Sequence, residues 1–186
     1  MPMEHPEPSP ALMKAVFDHL NHAELFYAVV GDMAMSMRGL DTRPALVEVL
    51  VNVTRNDREA LVRHTNSMFK NVQYLGEDME DIMILERAGL RGGVPIVLRK
   101  ARGDLDMITI GRRSAVDFQF SWVYVASPED LVIRELAKGT KIGTKNAVHI
   151  HRLCMNFIDL AYMIQMTRKI GLYKRFIDVK KEAEGI

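Results

Sequence analysis

The fold is decided by residues 26–53, which read FYAVVGDMAMSMRGLDTRPALVEVLVNV. The first five residues form an uninterrupted apolar run that is typical of a buried strand, and Gly31 ends it. Residues 32–38 predict a short helix that ends at Gly39. Residues 45–53 predict a second strand, because valines recur there at every other position. The stretch therefore predicts a strand–helix–strand unit with a glycine at its first junction.

Helical and strand patterns continue on both sides of this unit. A helix is predicted over 10–23, capped by Ser9, and another runs through 57–69 from a cap at Thr54 or Asn56. Strands are predicted over 72–75 and 122–126 and as a hairpin of 94–100 with 105–110, while 81–86 is ambiguous. Three helices are predicted over 128–138, 147–166 and 171–183, the first capped by Ser127, with a basic loop over 139–146.

This order predicts an α+β fold with C-terminal helices. We expect a disordered leader over 1–9, an α+β core over 10–138, and a helical section over 139–186 that packs on the core.

Composition and charge narrow the class of protein. The 186 residues allow one domain, or a domain with an added helical bundle. The 25 Lys and Arg nearly balance the 24 Asp and Glu, so the net charge of +1 gives no strong signal for a general nucleic-acid binder. The single cysteine, Cys154, predicts a reducing compartment. Because no apolar run reaches the roughly 18 residues of a membrane span, we expect a cytoplasmic protein without a membrane partner.

Two stretches carry a resemblance to a known family. The first is Gly31-Asp32-Met33-Ala34 with the helix after it, the Arg43-Pro44 pair and the following strand. The second is Ser127-Pro128-Glu129-Asp130-Leu131. Together they resemble the nucleotidyltransferase fold in its minimal, abortive-infection-type toxin branch. The resemblance implies a mixed sheet flanked by helices and a nucleotide or nucleotide-like ligand, with Gly31, Asp32, Ser36 and Arg43 as the nucleotide-binding residues.

The metal-binding motif of that family is degenerate here. The resemblance implies two Mg²⁺ ions held by three carboxylates, two of them from an Asp-x-Asp on one strand. Val47 and Val49 occupy those two positions, and a valine offers no oxygen ligand. Glu48 lies between them and is expected to point to the opposite face of the strand, unless a bulge turns it round. Asp32 replaces the second glycine of the family's Gly-Gly pair, where a carboxylate would repel a triphosphate.

Other acids leave an alternative open. On the predicted strand over 105–110, Asp104 and Asp106 would share a face, and the resemblance places Asp106 at the third carboxylate. Asp106, Asp104 and Asp32 are therefore the candidate catalytic residues, and Asp106, Asp32 and Glu48 the candidate metal ligands. The preferred interpretation is a turn position for Asp104 and a solvent-facing Asp106.

Two features of the C-terminal half complete the predictions. His149, His151 and Cys154 are metal-capable, but on a helix His149 lies round from the other two, so exposed histidines and a buried cysteine are expected. An apolar stripe on the helices predicts a homodimer contact. It runs through Leu153, Phe157, Leu160, Ala161 and Ile164, with Met155, Ile158 and Met163 beside it.

Three functions follow from these observations. In the first, the chain is a nucleotidyltransferase-fold protein that has lost catalysis and acts as a binding or regulatory module, of toxin–antitoxin type, with a protein partner. In the second, it is an active, Mg²⁺-dependent transferase that moves a nucleotide to a small molecule, a protein or tRNA through rearranged acids. In the third, it is an α+β protein whose resemblance to the family is accidental. The first is the preferred interpretation, because of Val47 and Val49.

Overall fold

The described elements are seven strands with four helices among them, followed by four more helices. The computed structural model describes residues 9–76, 80–85, 93–118 and 121–185. Residues 1–8 of the predicted leader over 1–9 lie outside the described residues, and Ser9 caps α1. The helices are α1 Pro10–His22, α2 Gly31–Met37, α3 Arg55–Met68, α4 Gly103–Gly111, α5 Pro128–Ala137, α6 Lys141–Cys154, α7 Leu160–Lys169 and α8 Tyr173–Glu184. The strands are β1 Phe26–Val30, β2 Val47–Asn52, β3 Asn71–Leu75, β4 Asp81–Leu85, β5 Ile96–Lys100, β6 Ser114–Phe118 and β7 Ser121–Val125. Among the described residues, no helix is long and apolar enough to cross a membrane.

The chain divides into two compact units. The first ends at Ala126 and holds the sheet, and the second runs from Ser127 to Ile186 and is helical. The division falls one helix earlier than the predicted boundary after residue 138, because α5 packs on α6.

The seven described strands of the first unit form one mixed sheet. Their order is β3-β4-β5-β2-β1-β7-β6. The pairs β2–β5 and β1–β7 are parallel and the remaining pairs are antiparallel. The predicted α+β class with a mixed sheet flanked by helices is therefore confirmed, and the 26–53 unit forms the centre of the sheet.

The two faces of β2 have different surroundings. Val47, Val49 and Val51 are 0–1% exposed and point to one face, which we call the Val49 face. Tyr27 lies opposite Val51 on that face and stacks on Phe17 of α1. Glu48 and Leu50 point to the other face, the Glu48 face, because successive side chains of a strand alternate. The alternation that predicted β2 is therefore real, and its valines belong to the hydrophobic core.

Three predicted elements are wrong or incomplete. Residues 105–110 are not the second strand of a hairpin but lie in α4, which begins where Gly103 adopts a φ of +70°. The hairpin in this region joins β6, which was not predicted, to β7. The predicted helix over 147–166 is two helices, α6 and α7, and Asp159 caps the second by accepting a hydrogen bond from the Tyr162 N–H. The basic loop over 139–146 is mostly helical, since Thr140 caps α6.

A close helix crossing holds α5 against α6 in the second unit. A Cβ added at Gly143 would lie 2.4 Å from the backbone oxygen of Glu135. We therefore expect Gly143→Ala to lower the free energy of unfolding by about 2 kcal/mol, since the helices must separate to admit the methyl group. Urea denaturation measures the change. Gly111→Ala is the matched control, because a Cβ there has open space around it; an equal loss in both variants would contradict the crossing.

One histidine of α6 is buried, against expectation. His149 is exposed, as predicted, but His151 is 1% exposed and packs edge-on against Phe176 of α8. Its Nδ1 has no hydrogen-bond partner among the described residues. Burial lowers the pKa of His151, an effect that Lys180 reinforces and Glu184 opposes.

The lowered pKa of His151 makes stability depend on pH. The unfolded chain binds a proton on His151 more tightly than the folded chain does. The contribution of His151 to the free energy of unfolding is therefore fully present above the unfolded pKa of about 6.5, and it falls as the pH drops below that value. We expect a flatter dependence of the free energy of unfolding on pH in His151→Leu, measured from about pH 7.5 to about pH 5.5. His149→Gln should keep the wild-type slope, and the same slope in His151→Leu would refute the assignment.

Candidate functional site

The junction between β1 and α2 forms the first part of the site. Gly31 begins α2 with a φ of +67°, a backbone conformation that residues other than glycine rarely adopt. A Cβ at this position would lie 3.5 Å from Oε2 of Glu48. Asp32 follows in the first turn of α2, and its backbone oxygen accepts a 2.7 Å hydrogen bond from the Thr42 hydroxyl. Gly31 and Glu48 are therefore neighbours.

Glu48 faces this junction without any bulge in its strand. The β1–β2 register is continuous over five residue pairs and places Val30 opposite Glu48. Residues opposite one another in a ladder share a face, so Glu48 points to the side on which the chain turns into α2. Val47 and Val49, the positions matched to the family's Asp-x-Asp, point away from it. The acid that faces the turn is thus the residue between the two matched positions.

Arg99 of β5 lies between two acids, Glu48 and Asp106. Its Nη2 is 3.1 Å from Oε1 of Glu48 and 3.8 Å from Oδ1 of Asp106. Arg99 lies opposite Leu50 in the parallel β2–β5 pair, so it shares the Glu48 face. The Asp106 residue is 8% exposed, and its Oδ2 accepts a 2.8 Å hydrogen bond from the Arg102 N–H. The guanidinium of Arg99 thus lies between the carboxylates of Glu48 and Asp106.

Asp104 and Asp106 do not share a strand face. Both lie in the first turn of α4, where residues two apart point to roughly opposite sides. Asp106 is buried and Asp104 is exposed, so a solvent-facing Asp106 is also wrong. The first unit therefore brings together Gly31, Glu48 and Asp106 around Arg99.

The remaining predicted nucleotide-binding residues lie on α2 and just before β2. Asp32 and Ser36 are half-buried and four residues apart on α2, which places them on one side of the helix. Arg43 is exposed. Their role in binding stays a prediction.

A second group of charged residues lies at the start of β4, at the end of β5 and at the cap of α4. Lys100 Nζ is 2.5 Å from Oε1 of Glu80, and Arg102 Nη2 is 3.2 Å from Oδ1 of Asp81. The hydrogen bond from Lys100 holds the pKa of Glu80 below its ordinary value. Lys100 and Arg102 are therefore paired with carboxylates of this same group.

The acids at the junction do not fit the two-metal site that the resemblance implies. Mg²⁺ takes oxygen ligands in octahedral geometry. Asp32 lies in the first turn of α2, and the same guanidinium nitrogen of Arg99 approaches the other two candidate ligands, Glu48 and Asp106. Among the described residues, no group of three His, Cys, Asp or Glu side chains is arranged to hold a metal ion.

Arg99 was not predicted as a functional residue. Its strand was predicted, and Val97 and Arg99 alternate there with Ile96, Leu98 and Lys100. What the alternation cannot show is that β5 pairs with β2 in a register that places Arg99 within reach of Glu48.

Solved structures share this fold. No family model matches the chain, and no curated protein matches its sequence. An antigenic nucleotidyltransferase-like protein from Paracoccidioides brasiliensis has a TM-score of 0.62 at 13% identity, covering 96% of this chain and 94% of that one. The lincosamide antibiotic adenylyltransferase LnuA, solved with lincomycin bound, has a TM-score of 0.52 at 8% identity, covering 77% of this chain and 99% of that one. At these identities the likeness shows the fold, and this chain has the fold of nucleotidyltransferase-like proteins.

Proposed function

We propose that this chain is a nucleotidyltransferase-fold protein that acts by binding and does not catalyse two-metal nucleotidyl transfer. The observation that supports the proposal is the position of Arg99, whose Nη2 is 3.1 Å from Glu48 and 3.8 Å from Asp106.

The guanidinium supplies the positive charge that a metal would otherwise bring. Arginine stays protonated at all physiological pH values, so its charge is permanent. A divalent cation that approached Glu48 would meet this charge at a few ångströms and would be repelled. A metal bridging a triphosphate to the protein is therefore disfavoured by the residues themselves.

The predicted ligand is a nucleotide or nucleotide-like molecule, and we propose that it carries few phosphates. Gly31 allows a ligand close to the backbone, and Ser36 and Arg43 offer a hydroxyl and a cation nearby in sequence. Asp32 opposes a triphosphate, because its carboxylate lies in the first turn of α2 and no metal is expected between them. A nucleoside or monophosphate avoids most of that repulsion.

A pyrophosphate-release assay tests the loss of catalysis. The full chain is incubated with ATP, CTP, GTP or UTP and Mg²⁺, and we expect release at the rate seen without protein. Equilibrium dialysis of nucleoside monophosphates in EDTA tests the binding role, and Arg43→Gln should weaken it severalfold. Mg²⁺-dependent release that stops in Asp106→Ala would overturn the proposal in favour of the alternative, an active transferase with rearranged acids.

A regulatory role of toxin–antitoxin type would require a protein partner. The surface that we propose for a protein contact is the predicted homodimer contact. The end of α6 and the turn after it expose Leu153, Met155 and Phe157, the last of these by 72%, whereas Met163, predicted beside the stripe, is buried. The proposed contact is therefore this turn, not a continuous helix face.

We expect Phe157→Asp to weaken self-association at least about tenfold, because a buried aromatic anchor at an interface is replaced by a charge. Light scattering over a concentration series measures it. Ile142→Asp, at a residue that is 73% exposed at the other end of α6, is the matched control. A wild-type chain that is monomeric at high micromolar concentration would refute the contact.

A further inference from the structure

The two units of the chain carry opposite net charge. Residues 127–186 contain eleven Lys and Arg against seven Asp and Glu, and residues 1–126 contain fourteen against seventeen. The overall value of +1 therefore conceals a helical unit with an excess of four positive charges. Charge asymmetry between halves of a chain is a signal for a polyanionic partner.

Because several of its acids are buried, the surface of the helical unit is more basic than its net charge of +4 indicates. Glu129, Asp130 and Glu135 are 0–6% exposed. Glu129 accepts a hydrogen bond from the Asp159 N–H, Asp130 accepts from the Ser127 and Tyr162 hydroxyls, and Glu135 accepts from Asn146 and Lys138. These three acids serve the helix packing and offer little charge to a partner.

The cations gather where α5, α6 and α8 meet. Nη1 of Arg175 would lie 3.3 Å from a Cβ at Gly139, between α5 and α6, and it donates a 3.5 Å hydrogen bond to the Leu136 oxygen. Arg175 therefore stands beside the turn that carries Lys138 and Lys141, and Lys174 precedes it on α8. Lys138 forms an ion pair with Glu135, so we call Lys141, Lys174 and Arg175 the basic corner; all three are exposed.

An aromatic ring borders the basic corner. The guanidinium of Arg168, an exposed residue, lies 4.7 Å from the ring centroid of Tyr173, the residue before Lys174. A tyrosine stacked with an arginine, next to exposed cations, is a combination on which unpaired bases can stack. The charges of an acidic peptide account for the cations alone, whereas a nucleic acid accounts for both the cations and the ring.

We propose that the basic corner and the Arg168–Tyr173 pair form a docking surface for single-stranded RNA. RNA presents unstacked bases in loops and ends, and proteins receive them on aromatic rings and guanidinium planes while cations contact the phosphates. The surface lies wholly within the helical unit, so the inference does not depend on the state of Glu48 and Asp106.

Fluorescence anisotropy with a labelled oligouridine of about 16 nucleotides tests the proposal on the full chain. The wild type should bind it, with an affinity that falls steeply as salt is raised. Lys141→Gln combined with Lys174→Gln should weaken binding about tenfold and make the salt dependence shallower. Tyr173→Leu should weaken binding about fivefold at unchanged salt dependence, since it removes stacking and no phosphate contact.

A double variant with the same loss of charge is the control. Lys70→Gln combined with Lys181→Gln removes two exposed cations outside the corner and should leave the affinity within about twofold. Equal weakening by both double variants would overturn the proposal, as would the absence of binding at low salt. Equal or tighter binding to the deoxyuridine oligomer, to a duplex, to polyglutamate or to phosphatidylserine vesicles would also overturn it.

Discussion

Val49→Asp is expected to lower the free energy of unfolding by about 3–5 kcal/mol and to create no metal site. Val49 is fully buried and lies opposite Val29 of β1 and Leu98 of β5, which are themselves 0–2% exposed. A carboxylate there has neither water nor a cation to stabilise it. The substitution places an acid at one of the two valine positions matched by sequence to the Asp-x-Asp, on the face that points away from the Gly31 junction.

Val97→Asp is the matched control for this variant. Val97 lies opposite Glu48 on the Glu48 face and is half-buried, so the new carboxylate can reach solvent and should cost about 1 kcal/mol. Urea denaturation of the two variants measures the difference. If Val49→Asp were the milder change and bound Mn²⁺, the valines and not Glu48 would face the Gly31 junction.

Arg99→Ala is expected to raise the affinity for Mn²⁺ by at least about tenfold. The substitution removes the guanidinium that approaches Glu48 and Asp106, and it leaves two carboxylates near each other without the positive charge between them. A divalent cation then relieves their repulsion instead of adding to that of an arginine. Electron paramagnetic resonance of free Mn²⁺ during a titration measures the affinity.

Two further variants make the Arg99 experiment specific. Arg99→Lys keeps the positive charge and should remain close to wild type in Mn²⁺ affinity. Arg99→Ala combined with Glu48→Gln should lose the gain, because one of the two carboxylates is gone. A gain that survives Glu48→Gln would show that the metal binds elsewhere.

The centre of the fold could be predicted because its signals are local. An apolar run, a glycine that adopts a positive φ and alternating valines define β1, α2 and β2 within 28 residues. Capping residues predicted the starts of α1, α3 and α5, where Ser9, Thr54 and Ser127 accept hydrogen bonds from the first turn.

The site could be predicted only in part, because its geometry depends on which strands pair. Gly31 and Glu48 lie in neighbouring strands, but which face of β2 meets the junction depends on register. The Arg99 contact depends on β5 pairing with β2, whose residues lie about fifty positions away in the chain. Asp106 was placed on a strand because 105–110 is short and apolar, and helix α4 buries it instead.

The most direct test of the central claim is a calorimetric titration of the wild-type chain with ATP, carried out with and without Mg²⁺. If Arg99 takes the place of the metal charge, Mg²⁺ gives no increase in ATP affinity, and Asp106→Ala behaves as the wild type does. ATP binding that requires Mg²⁺ and disappears in Asp106→Ala would contradict the claim.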